Sequence, residues 1–183
     1  MKLLSILLLS GLFISMFYVK NFYIKTEKLP LRNCLLQNKT MNCGPTALLM
    51  ICNNFNIQTS LNEIENKTNF HSSKGITFLD MYNYADSIGL RPQALKVTAN
   101  YLQRNDLPGI LFIKSSHFVV LDSLDQKKYC YIRDPSRGRY RMSLSHLLKI
   151  WNGEILIFKL PKKKQISSLS ITMSNPFERN SHY

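Results

Sequence analysis

The spacing of apolar positions changes twice along the chain. From Leu3 to Val19 apolar residues run almost unbroken, interrupted only by Ser5, Ser10, Gly11 and Ser15. A segment apolar on every side has no solvent face, so it reads as a membrane anchor or signal rather than a core helix. Met16, Phe17 and Tyr18, then Lys20 to Tyr23, stand where small residues would mark a cleavage site. Aromatics with lysine at the end of an apolar run resemble an interfacial belt, which favours an uncleaved anchor over a cleaved signal.

Helical spacing follows. Gly44 and Pro45 open an apolar stretch from Thr46 to Phe55, and proline is tolerated in a first helical turn because its missing N–H had no partner there. A largely buried helix is expected from about Cys43 to Phe55. Ser60 and Glu63 have capping-box spacing and start a second helix ending near Lys67. After a polar loop from Asn69 to Gly75, Thr77 and Asp80 cap a third helix. Its apolar face is Phe78, Met81, Tyr82 and Ala85, and Gly89 closes it.

The period then shortens. Strands are expected at Ala94–Val97, Ile110–Ile113, His117–Leu121 and Tyr129–Arg133, with a helical turn from Thr98 to Arg104. Asp122 to Lys128 reads as a hairpin loop and Asp134 to Gly138 as a turn. Arg139–Met142 pairs as a further strand, Ser143 caps a short helix through Trp151, and Glu154–Leu160 is the last strand. Helices first and an antiparallel meander afterwards make an α+β domain. The expected organisation is an anchor or signal over residues 1–25, a domain over 26–160, and a polar, disordered tail over 161–183. No internal repeat is visible.

Composition narrows the function. At 183 residues, 45% hydrophobic and 11% aromatic, the chain has a proper core. Its net charge of +13 is spread, with one run at Lys162 to Lys164. There is no zinc-knuckle or aromatic RNA-binding pattern, so the charge reads as solubility plus membrane proximity and not as a nucleic-acid interface. Positive residues lie on both sides of the apolar run. A positive-inside count points to the cytoplasm, but a lone N-terminal anchor on a small domain more often exports it. The lean is to the extracytoplasmic side of the cell membrane. None of the four cysteines, Cys34, Cys43, Cys52 and Cys130, forms a C-x-x-C pair, so neither metal nor cofactor is expected. One disulfide among Cys34, Cys52 and Cys130 is allowed in an oxidising compartment.

Cys43 is placed differently from the others. A thiol at a helix N-terminus feels the positive end of the macrodipole, which favours the reactive thiolate. Cys52 lies on the same helix about half a turn round at roughly 100° per residue, so it faces away. A thiolate nucleophile needs a base, and the base an orienting group. His71 lies in a loop, His146 on a terminal helix and His182 in the tail. His117 opens a strand, at a sheet rim, with Val119 and Leu121 on its face. Asp134 ends the next strand, and in an antiparallel hairpin the start of one strand lies beside the end of the next. Asp122 and Asp125 fall at the far end of that hairpin. Taken singly, Cys43 and His117 also suit structural roles, and Asp134 an ordinary turn before proline.

Gln37 upstream of Cys43-Gly-Pro, then His117-Phe-Val-Val-Leu, then Asp134-Pro-Ser-Arg-Gly, resemble the bacteriocin-processing peptidases in residues and order. Those are papain-like cysteine peptidases that remove leader peptides after a double glycine, commonly as domains of ABC exporters. The resemblance covers about Leu31 to Leu160. It implies Cys43 as nucleophile, His117 as base, Asp134 as orienting group and Gln37 as oxyanion donor. No transporter follows the domain and an apolar segment precedes it, so a stand-alone, membrane-anchored form is expected. Its implied partners are a leader-bearing peptide precursor, the membrane through residues 3–19, and a separate ABC exporter. Two rival readings share these residues: a hydrolase of cell-wall peptides, and a non-catalytic module that holds leaders for an exporter.

Overall fold

The computed structural model describes residues 26–103 and 107–159. Helix α1 spans Cys43–Asn54, α2 Leu61–Lys67 and α3 Phe78–Ser87, with a short α4 at Leu144–Leu147. The strands are β1 Glu27–Lys28, β2 Arg91–Lys96, β3 Gly109–Ile113, β4 His117–Leu124, β5 Tyr129–Asp134, β6 Gly138–Ser143 and β7 Trp151–Lys159. They form one antiparallel sheet in the order β1-β6-β5-β4-β3-β7-β2.

Both faces of the sheet are covered. Ile110, Phe118, Val120, Leu156 and Phe158 pack with α1, α2 and α3 around Leu48, Ile51, Ile64 and Met81. Alternate residues of the same strands, Leu111, Val119, Leu121, Ile155 and Ile157, join Leu102, Leu144, Leu147 and Trp151 on the other face. Strand side chains alternate, so β3 needs apolar residues on both sides and reads as the unbroken run Ile110 to Ile113. Helix α1 is buried along almost its whole length, as its apolar composition demands.

Several expectations change in the structure. The meander holds from β3 to β6, but β7 crosses back to pair with β3 and β2. Strand β2 begins at Arg91 and accommodates Pro92 because it is an edge strand. Strand β4 continues to Leu124, and a register shift at Asp122 interrupts its pairing with β5. Residues Glu27–Lys28 belong to the sheet and not to a linker. The helix after Ser143 ends at Leu147, and Trp151 already opens β7. Ser60 accepts from the Glu63 N–H at 3.2 Å, but the Glu63 carboxylate accepts from Thr59 Oγ1 at 3.1 Å, so only half the box forms. At Thr77 and Asp80 both halves form.

The expected membrane location is corrected. Among the described residues no helix is long and apolar enough to cross a membrane. Residues 1–25, with the apolar run at 3–19, and the tail at 161–183 lie outside the described residues. The four cysteines are all free and buried, so the allowed disulfide does not form. Cys52 and Cys130 lie in separate core clusters on opposite faces of the sheet.

Candidate active site

The site sits at the end of the sheet where its two layers meet. Cys43 is the first residue of α1 and belongs to the helix-side cluster. His117 is the first residue of β4 and Asp134 the last of β5. Val120 pairs with Arg133, so these strand ends are brought side by side. His117 Nε2 lies 2.7 Å from Asp134 Oδ1. That engagement leaves Nδ1 as the ring nitrogen that can face the thiol, and the histidine is near enough to the sulfur to favour its thiolate. Asp134 is 1% exposed against 21% for His117, so the carboxylate is buried behind the ring.

The electrostatics suit an ion pair. Burial would push the Cys43 thiol up, but the His117 hydrogen bond, the Phe118 and Gly44 backbone N–H groups and the imidazolium charge outweigh it and lower its pKa. Burial would lower His117, yet Asp134 and Cys43 raise it to about 9. Burial likewise opposes ionisation of Asp134, and the bonds from His117 and Ser136 bring its pKa below the usual carboxylate value. Burial pushes Cys52 and Cys130 to about 12.

Asp134 is held by more than the histidine. The Ser136 N–H and Oγ both donate to Oδ1 at 2.8 Å, and the Tyr140 hydroxyl donates to Oδ2 at 3.3 Å. Neither Ser136 nor Tyr140 was singled out from sequence. Ser136 could have been, because an aspartate two residues before it invites an Asx-type turn. Tyr140 could not, since its reach depends on the β5–β6 register that pairs Asp134 with Gly138.

Gln37 enters this region through its backbone, whose N–H donates to the Pro135 carbonyl at 2.8 Å. Its Nε2 donates to the Lys39 carbonyl at 3.0 Å, and its Oε1 is buried without a hydrogen-bond partner among the described residues. Gln37 is therefore fastened beside Asp134, with its amide turned onto its own loop. A cleft of about 490 Å³ opens beside Cys43, lined by Met41, Ile76, Phe78, Phe112 and Phe118 with Ser116 at its edge. Phe78 and Phe118 stack edge-on at 5.1 Å. Among the described residues no group of three His, Cys, Asp or Glu could hold a metal.

Residues 32–163, well over half of the chain, match the Peptidase C39 family. The chain belongs to that family. This C39 peptidase is thus a cysteine peptidase, and its solved neighbours carry the papain-like fold expected from the sequence. It superposes on a double glycine motif protease from an AMS/PCAT transporter, solved with its leader peptide, at a TM-score of 0.66 and 25% identity, covering 73% of this chain and 93% of that one. The peptidase domain of Streptococcus ComA has a TM-score of 0.64 at 21% identity, covering 70% and 98%, and shows the fold. A probable functional amyloid protease, FapD, of Pseudomonas aeruginosa is 34% identical over 84 residues, 44% of this chain. The colicin V secretion/processing ATP-binding protein of Escherichia coli is 32% identical over 120 residues, 66% of this chain. The C39 peptidase spans only 37% of the first of these relatives and 17% of the second.

Proposed function

We propose that this cysteine peptidase removes leader peptides from precursors after a Gly-Gly type site, using Cys43 as nucleophile, His117 as base and acid, Asp134 as orienting group and Gln37 as oxyanion donor. The observation that carries the reading is the 2.7 Å bond from His117 to the buried Asp134 carboxylate, beside a Cys43 that lines an apolar cleft and whose thiolate His117 favours. The Cys43 thiolate attacks the scissile carbonyl carbon, forming a C–S bond. The carbonyl oxygen becomes an oxyanion, stabilised by the backbone N–H at the start of α1 and by the Gln37 amide once it turns from Lys39. The proton on His117 Nδ1 passes to the departing amine as the C–N bond breaks. Water, deprotonated by His117, then cleaves the thioester and restores the thiolate.

The substrate follows from two features. Cys43 is only 7% exposed, which leaves little room for side chains next to the cut and suits two glycines. The aromatic cleft beside it suits apolar side chains further up a leader. The relative solved with a leader peptide supports this class, and the secretion/processing relatives support an ABC exporter as partner.

The test is cleavage of a panel of double-glycine precursors beside a peptidoglycan digest, with wild type and Cys43→Ala. Wild type is expected to cut after Gly-Gly. Cys43→Ala should lose about 10³-fold or more in rate with its fold unchanged by circular dichroism. Cleavage of the digest alone would move the substrate to the cell wall. Leader binding without any cleavage would make the protein a holder, and an active Cys43→Ala would remove the nucleophile assignment.

A further inference from the structure

Asn42 stands immediately before Cys43, at the N-cap of α1, and is fully buried. Asparagine is among the preferred capping residues, its side-chain oxygen accepting a backbone N–H of the first turn. Here it makes no cap hydrogen bond. Its Nδ2 donates to Glu65 Oε1 at 2.9 Å and to Asn38 Oδ1 at 2.9 Å, and its Oδ1 accepts from the Lys39 N–H at 3.3 Å. Glu65 is a carboxylate of α2, 7% exposed, and its Oε2 pairs with Lys39 Nζ at 2.5 Å. One buried carboxylate therefore grips both Lys39 and Asn42, in the loop between Gln37 and Cys43. The reaction steps use none of these groups. Burying a carboxylate is unfavourable unless it is paired and hydrogen-bonded, so its placement calls for a reason.

The first turn of α1 supplies one. Pro45 has no N–H, so the donor left for a capping side chain is that of Gly44. The Gly44 N–H is also one of the backbone groups that favour the Cys43 thiolate. A capping Asn42 would compete with the sulfur for it. The same grip fixes Lys39, whose carbonyl receives the Gln37 amide.

We propose that Glu65 is a positioning residue: it latches Asn42 away from the N-terminus of α1, keeping the backbone donors there open to the thiolate and holding the loop that carries Gln37. The inference rests on Cys43 being the nucleophile. It does not depend on which peptide is cut, because the sulfur can be read without a substrate.

The test combines steady-state kinetics with the pH profile of Cys43 alkylation by iodoacetamide, in the full chain. In Glu65→Ala, kcat should fall by about tenfold or more with KM within about twofold, and the alkylation profile should move to higher pH. Glu65→Gln keeps an acceptor for the Asn42 amide and should recover most of both. Adding Asn42→Ala to Glu65→Ala removes the competing side chain and should return the alkylation profile toward wild type. A folded Glu65→Ala with a wild-type profile and kcat would overturn the latch. So would a double variant whose alkylation profile stays where Glu65→Ala puts it. Loss of Cys43 labelling selectivity in wild type would instead overturn the nucleophile reading on which the latch depends.

Discussion

Cys43 and Cys52 share one helix and meet opposite environments. Burial pushes the Cys52 thiol to about 12 with only its own backbone opposing the rise, while His117 and two backbone N–H groups lower that of Cys43. Alkylation at neutral pH should label Cys43 at least about tenfold faster than Cys34, Cys52 or Cys130, read by peptide mass mapping. Equal labelling would mean that the His117 contact does not act on the sulfur. The pH dependence has a definite sign. His117 rises from 6.5 to about 9 on folding, so its proton stabilises the fold fully below 6.5 and that contribution is lost as pH climbs through about 9. The Cys43 thiolate contributes above its unfolded value of 9.0, and its share is lost as pH falls through its lowered folded value. Activity should therefore rise with the thiolate and fall along an alkaline limb near pH 9. Asp134→Asn removes a charge that raises His117, so it should move that limb to lower pH in a kcat/KM profile. The proposed catalytic set was legible as three blocks that fall in order at element ends. The Asn42–Glu65 contact was not, since an asparagine just before a helix suits a cap and only packing of α2 on the loop redirects it.

The start of α1 has no spare space. A Cβ on Gly44 would lie 2.7 Å from Ile76 Cγ1 and 3.3 Å from Phe118 Cδ2, on the strand that begins with His117. Gly44→Ala should push α1 away from β4, stretching the Cys43–His117 contact. The expected result is a loss of about tenfold or more in kcat with a modest fall in stability, measured by kinetics and urea titration. Unchanged kcat would mean that Ile76 yields instead. Helices α1 to α3 were readable from period and caps, because their ends are set by local residues such as Thr77 and Asp80. Strand limits were not. Asp122, Ser123 and Leu124 look like a loop by composition, yet β4 runs on through them because Asp122 meets Arg133 across the sheet. Likewise β1 is held by Arg141 on Glu27, a contact between distant parts of the chain.

Across the molecule, Arg133 joins the layers. It is 1% exposed, donates to Asp122 at 2.8 Å from Nε, and donates to the Asn33 carbonyl at 2.7 Å from Nη1. It thereby ties β5 to β4 and to the segment leading into the Gln37 loop, one residue before Asp134. Arg133→Met should cost about 3 kcal/mol, because Asp122 and the Asn33 carbonyl lose their buried partner, and lower Tm by about 10 °C in a thermal melt. A loss within about 0.5 kcal/mol would show the pair to be replaceable by packing. The fold class was visible from sequence as helices followed by strands. The return of β7 between β3 and β2 was not, since nothing local to Trp151–Lys159 names its neighbours. The bond from the Gln37 N–H to the Pro135 carbonyl has one more consequence, in time rather than space. Chains are made from the N-terminus at about 5–20 residues per second, so Cys43 leaves the ribosome several seconds before Asp134 does. Until that hairpin arrives the sulfur lacks its histidine, and on the proposed mechanism the growing chain carries Cys43 without being able to cut itself or its neighbours.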